Sequence, residues 1–277
     1  MNSKTPIILA LIAATAAPAS AATGPWIDVA PSAKIRVLTA DAVENGKMMA
    51  ALEFQLRDGM KTYWRVPGES GIPLTADWGK SENVETVEFL WPMPKRAITN
   101  GYFDYVYDHD FVLPFEIHLP EQADGELPHL VGNLLMGICG EICVPVTFQV
   151  DQYLDVAKKD IAVSFKIEAA KADVPIVDDR ENAPFPAVYL DKAQNQFVVQ
   201  PSADGRENHS LILDLPQQNL LFDVPQNGPG SPLITIKALK DVPLDAFVGS
   251  TARLTYSGEQ GAFEQLVPIL SIEALAQ

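Results

Sequence analysis

Residues 129–154, HLVGNLLMGICGEICVPVTFQVDQYL, decide how the first half of the chain is read. His129–Leu135 and Thr147–Leu154 have the alternating or β-branched character of strands. Between them stand the only two cysteines of the chain, Cys139 and Cys143. Residues four apart in an extended strand are about 13 Å apart, at a rise near 3.3 Å each. A disulfide needs Cα atoms roughly 4.4–6.8 Å apart. The chain must therefore fold back between the cysteines or make one turn of helix, and Gly137, Gly140 and Pro145 argue against a helix. A tight hairpin with Gly140-Glu141-Ile142 as its loop sets Cys139 opposite Cys143, with glycine supplying the positive φ that three-residue loops commonly use. Facing residues in a non-hydrogen-bonded pair are about 4.5 Å apart at Cα, near the short end of the disulfide range. Strained or exposed bridges are the labile ones.

Outward from this hairpin, short runs of the same kind recur at Lys34–Thr39, Lys47–Gln55, Glu85–Leu90 and Val112–His118, broken by Gly, Pro, Asn and Asp. Such spacing predicts an antiparallel sandwich. Pro67, Gly68, Gly71 and Pro73 mark a turn-rich connection, and Trp91-Pro92-Met93-Pro94 another, because proline is excluded from central strands. Val156–Ala172 has helical spacing and reads as a short linking helix. A loop rich in Pro, Asp and Glu follows to residue 186. A second β series then runs through Ala187–Leu190, Gln196–Gln200, Ser210–Leu215, Leu220–Val224, Leu233–Ala238, Ala252–Tyr256 and Leu266–Ile272. The expected fold class is all-β: a sandwich over residues 22–155, a linker over 156–186, and a second, smaller β domain over 187–277. The second half holds no cysteine, and its bland reading is a supporting or docking domain.

The N-terminus sets the compartment. Lys4 precedes an apolar run from Pro6 to Ala17, and Ala19-Ser20-Ala21 fits the small-x-small rule of a signal-peptidase site. Residues 1–21 are expected to be a secretory signal cleaved near Ala21, which places the protein in the periplasm. No later stretch is long and apolar enough to span a membrane. Removing Lys4, the only charged residue of that segment, takes the net charge from −16 to −17. Such acidity disfavours nucleic acid and anionic lipid as partners, since both need clustered Lys and Arg.

In an oxidising compartment a close cysteine pair tends to be a disulfide. Yet a loop closed over three residues removes little chain entropy, so Cys139–Cys143 is a poor staple for a chain of this length. That mismatch points to reactivity. Two other readings stay open: a structural bridge, and a Cu(I) site in which Met136 and His129 join the thiolates. The C-x3-C spacing without a βαβ pattern excludes a thioredoxin. Glu141, inside the loop, disfavours the thiolate. Tyr63, Trp64 and Arg65 read either as core or as lining of the active end. His109, between Asp108 and Asp110, reads as a surface histidine, and the scattered methionines as core fillers.

Three segments taken in order carry a family resemblance. They are Gly59-Met-Lys-Thr-Tyr-Trp-Arg-Val-Pro-Gly-Glu-Ser-Gly-Ile-Pro73, then Phe89-Leu-Trp-Pro-Met-Pro94 with Tyr107-Asp-His-Asp110 and Leu113-Pro114, and then Cys139-Gly-Glu-Ile-Cys-Val-Pro145. Together, over about residues 25–155, the chain resembles the N-terminal periplasmic domain of the disulfide reductase DsbD, nearest its relatives linked to suppression of copper sensitivity. The resemblance implies an immunoglobulin-like sandwich with the cysteine pair near one end, acting as a protein-disulfide reductase component without a cofactor or metal. It implies a relay from a membrane-embedded thiol reductase, through a thioredoxin-like domain, to oxidised periplasmic proteins. Cys143 matches the attacking cysteine and Cys139 its partner. An aromatic cap loop falls at about Ala97–Tyr105, with Tyr102 and Phe103 as covers. The chain shows no membrane block and no C-x-x-C domain, so it is expected to be a detached module. The alternative is a periplasmic copper-binding or copper-tolerance protein using Cys139 and Cys143 without redox turnover.

Overall fold

The computed structural model describes residues 23–99, 101–121, 127–155, 160–181, 183–202, 210–216, 220–223, 232–239, 242–258 and 261–276. The expected signal segment, 1–21, lies outside them. In chain order the first half forms β1 (Ile27–Ala30), β2 (Ala33–Glu44), β3 (Lys47–Leu56), β4 (Thr62–Gly68), β5 (Thr75–Asp77), β6 (Thr86–Phe89), β7 (Lys95–Thr99), β8 (Tyr102–Tyr107), β9 (Phe111–His118), β10 (His129–Cys139) and β11 (Cys143–Tyr153).

Two sheets make the sandwich, one ordered β1-β2-β3-β9-β6 and one ordered β11-β10-β5. Alternation decides their faces. Met48, Ala50, Leu52 and Phe54 of β3 point inward and meet Leu134, Met136 and Ile138 of β10 and Phe148 of β11 in one buried core. The β2–β3 hairpin turns on Asn45 (φ 52°) and Gly46 (φ 75°), the Asn-Gly pair that a two-residue type I′ turn selects.

A third sheet, ordered β4-β8-β7, had not been expected as a unit. It lies over the cysteine end of the sandwich. On one face Tyr63, Val106 and Ala97 pack on Cys139 and Cys143. On the other, Trp64, Phe103, Tyr105 and Tyr107 pack on Ile212 of the second half.

The helix α1 (Ile161–Lys171) is capped by Asp160, whose carboxylate accepts from the amides of Ala162 at 3.0 Å and Val163 at 3.2 Å. It is no free connector: Val163 and Ile167 pack on Leu38 and Ala51, on the outer face of the first sheet. The expected helix began at residue 156, and residues 156–159 lie outside the described chain.

The second half forms β12 (Ile176–Val177), β13 (Val188–Asp191), β14 (Gln196–Val199), β15 (Ser210–Asp214), β16 (Ile234–Lys237), β17 (Thr251–Gly258) and β18 (Gly261–Ser271). β18 pairs with β17 and β12 along its first part and with parallel β13 along its last, so it carries the sheet around a separate core of Phe185, Phe197, Leu213, Phe222, Leu254 and Ile269. The segment read as a strand at Leu220–Val224 is not one in its described part, where Phe222 makes a lone bridge to Ala238. Among the described residues no helix is long and apolar enough to cross a membrane.

Candidate functional site

β10 and β11 stay in antiparallel register from His129 opposite Tyr153 down to Cys139 opposite Cys143. The two cysteines form a disulfide with Cα atoms 4.0 Å apart. The hairpin is the expected one, but its glycine works differently. Gly140 is not among the positive-φ residues. A Cβ there would lie 3.0 Å from Met60 Sδ, the far part of a flexible side chain.

The two sulfurs sit in unlike surroundings. Cys139 is fully buried, at 0 % exposure, and its backbone exchanges two hydrogen bonds of 2.8 and 2.9 Å with Lys61. Cys143 is partly exposed. The Tyr63 hydroxyl lies 3.1 Å from Cys143 Sγ, and the Ser70 carbonyl oxygen 4.0 Å from it. A disulfide sulfur carries no proton, so Tyr63 is the donor. Burial pushes the Tyr63 hydroxyl up from its ordinary pKa, with the nearby Asp104 carboxylate adding to the shift and Ser70 opposing it. Tyr63 therefore stays protonated at neutral pH and can donate to a Cys143 thiolate as readily as to the bridge, and such a bond favours the charged form.

Around this contact the chain is stitched down. Asp104, at 0 % exposure, accepts from Lys61 Nζ at 3.1 Å, from the Ser70 amide at 3.1 Å and from Ser70 Oγ at 2.8 Å. The Glu69 amide donates to the Phe103 carbonyl at 2.9 Å, and the Phe103 amide to Glu69 Oε2 at 2.8 Å. Gly68 lets this happen. Its φ is +102°, and a Cβ would stand 2.4 Å from Asp104 Cα. Residues 68–71 thus lie along β8 and beside Cys143.

Of the two residues expected to cover the pair, Tyr102 is 53 % exposed and shares the strand face of Asp104 and Val106, which looks to the disulfide. Phe103 is 7 % exposed and points the other way, into the cluster with Trp64 and Tyr105. Strand alternation forbids adjacent residues of β8 from covering the same sulfur. Tyr63, Val106 and Ala97 pack against the pair, and the Ser70 carbonyl reaches Cys143 from the segment along β8. Sequence reading left Tyr63 undecided and passed over Asp104 and Ser70. A lone acid inside the aromatic run Tyr102-Phe-Asp-Tyr-Val-Tyr107 was the available signal.

The ligands of the copper reading are not brought together. Met136 is buried in the first core, on the face of β10 opposite Cys139. His129 stands ten residues up the same strand, about 33 Å away at the usual rise, hydrogen-bonded to Asp151 at 2.7 Å. Elsewhere Glu88, Glu116 and His118 converge, but Lys47 Nζ already sits 2.7 Å from Glu116 Oε1. His109 is exposed and pairs with Asp108 at 3.2 Å, as expected of a surface residue.

Residues 30–155 match the family described as "Thiol:disulfide interchange protein DsbD, N-terminal". Among solved structures, the N-terminal periplasmic domain of ScsB from Proteus mirabilis aligns at 22 % identity and a TM-score of 0.70, over 90 % of this chain and 99 % of that one. The likeness of fold therefore extends through both halves. The full ectodomain of mouse nectin-like molecule 4 aligns at 9 % identity and a TM-score of 0.20, over 86 % of this chain and 64 % of that one. No curated protein matches the chain. With the sandwich, the cysteine hairpin and the family match in agreement, residues 30–155 belong to the N-terminal domain family of the thiol:disulfide interchange protein DsbD, an immunoglobulin-like fold.

Proposed function

We propose that this protein relays reducing equivalents in the periplasm through Cys139 and Cys143, taking them from a membrane-embedded thiol reductase with a thioredoxin-like domain and passing them to oxidised periplasmic proteins. Residues 22–155 are the exchange unit, 156–186 its connection and 187–277 a cysteine-free support. The observation that carries the reading is the asymmetry of the bridge: Cys139 is sealed, while Cys143 is partly exposed with a hydroxyl on its sulfur.

The chemistry follows from that asymmetry. To load the domain, a reductant thiolate attacks Cys143 Sγ, a mixed disulfide forms, and Cys139 leaves as a thiolate and takes a proton. The reductant's second thiol then attacks its own sulfur in the mixed disulfide and releases Cys143. To discharge it, the Cys143 thiolate attacks a substrate disulfide. One substrate sulfur leaves as a thiol, and Cys139 attacks Cys143 to release the other. Two electrons pass in each direction and the bridge is restored. Tyr63 stabilises the Cys143 thiolate at both stages by its hydrogen bond, offsetting the nearby Glu141. Tyr102 shields the pair from the solvent side.

The test is trapping with glutathione disulfide. Reduced Cys139→Ser should accumulate a stable glutathione adduct on Cys143, detected by mass. Reduced Cys143→Ser should react much more slowly through Cys139. Equal rates, or a faster Cys143→Ser variant, would remove the assignment of roles.

A further inference from the structure

The second half touches the cover sheet on the face turned away from the disulfide. Trp64, Phe103, Tyr105 and Tyr107 pack on Ile212 of β15, and Arg96 donates to the Leu211 carbonyl. The strongest polar link is Arg65, on β4. Its guanidinium nitrogen lies 3.0 Å from Asp214 Oδ2, 2.9 Å from Thr255 Oγ1 and 2.7 Å from Glu264 Oε2. These acceptors come from β15, β17 and β18. The guanidinium also stacks 4.0 Å over the Trp64 ring. β4 is irregular between Tyr63 and Gly68. Trp64 and Arg65 therefore both turn to the second half while Tyr63, their neighbour, turns to Cys143.

The Arg65 side chain is only 14 % exposed, and Asp214 less. Arg65 is the shared cation of two carboxylates, with Arg253 Nε 3.4 Å from the second of them. Removing a shared partner from such a cluster leaves like charges facing each other away from water, which apolar packing cannot offset. The contact is therefore specific to a residue standing two positions from the hydroxyl on the exchange sulfur.

We propose that Arg65 is a positioning residue, through which the second half holds Tyr63 and the cover sheet closed over Cys143. The inference deepens the exchange reading and rests on it: the second half sets how readily the bridge is uncovered, without touching either sulfur. A cover held from behind opens by separating β4 from β8 or by leaving β15. The three anchor strands oppose the second route as long as Arg65 is paired.

The experiment uses the full chain as Arg65→Met, Arg65→Lys and Asp214→Asn. Two quantities are read: the rate at which excess dithiothreitol reduces the bridge, and amide hydrogen exchange at Tyr63 and Val106. Arg65→Met and Asp214→Asn should each raise both by on the order of tenfold, within the usual range for coupling between sites. Arg65→Lys should fall between, since an ammonium keeps the charge but not the fork. Thermal unfolding is measured alongside. A merely structural role lowers the midpoint and leaves reduction of the folded protein unchanged, and that result overturns the proposal. So does an effect of Arg65→Met that Asp214→Asn does not share, because it confines the effect to β4. If Arg65→Met does not fold, the other two variants decide. Should the wild-type bridge resist dithiothreitol altogether, the exchange reading fails by itself, while hydrogen exchange still reports whether the second half holds the cover.

Discussion

Replacing Asp104 by Asn should loosen the cover more than any other single-atom change near the pair. The carboxylate is fully buried and accepts three hydrogen bonds, one from the Lys61 ammonium. Asparagine retains one acceptor for the Ser70 amide and turns an NH2 group toward Lys61 or Ser70 Oγ. A hydrogen bond to a charged group contributes about 1.5–3 kcal/mol, and breaking a buried ion pair costs roughly 3–5 kcal/mol. Lys61 keeps 13 % of its side chain in water and has Thr99 Oγ1 at 3.3 Å as a second acceptor, so the lower end applies. The expected loss is about 2–3 kcal/mol, read as a fall of about 1 M in the urea midpoint at a typical slope. A cycle with Lys61→Met should show a coupling above about 1 kcal/mol, as contacting residues do. A midpoint shift below about 0.2 M, or zero coupling at the usual error of such cycles, would refute the idea that this pair pins the cover.

Other outcomes follow from the same geometry. Reducing the bridge frees a loop of five residues, which the chain-entropy relation values at about 2 kcal/mol. The reduced protein should therefore stay folded, and a loss above about 4 kcal/mol would mark a structural staple. Gly68→Ala places a Cβ against the β8 backbone at a positive φ. It should cost more than about 2 kcal/mol and speed alkylation of reduced Cys143; normal stability would contradict the close approach. In the second half, the Arg180 guanidinium and the Tyr256 hydroxyl hold the Asp178 carboxyl down to about 2. Because the folded value lies below the unfolded one, this stabilisation is complete above about pH 4 and is lost as pH falls toward about 2. Asp178→Asn should flatten that part of an acid-unfolding curve, and an unchanged curve would exclude the pairing.

The strands of the sandwich were legible where one face meets the core and the other meets water, as in Cys143–Tyr153, and in Lys47–Leu56 the inward set Met48, Ala50, Leu52 and Phe54 kept the period of two although α1 covers Ala51 on the outer face. The cysteine hairpin was legible for a geometric reason, the reach of the chain between Cys139 and Cys143. The cover sheet was not. β8 is buried from Phe103 through Tyr107, between the disulfide and the second half, so its sequence carries no period of two. It read as loop, and Phe103 as a cover, for the same reason. The isolated bridge of Phe222 to Ala238 shows the reverse case, an apolar run that propensity makes a strand and the described pairing does not. Arg65 was visible only as a charge beside aromatics, because its partners lie 149, 190 and 199 residues away.

The exchange role is tested most directly by the equilibrium reduction potential of Cys139–Cys143, measured by thiol trapping across a series of dithiol buffers. A working pair should lie between thioredoxin and the periplasmic oxidants, about −270 to −120 mV. A value below about −300 mV would mark a bridge that resists reduction, and the relay would give way to a structural role.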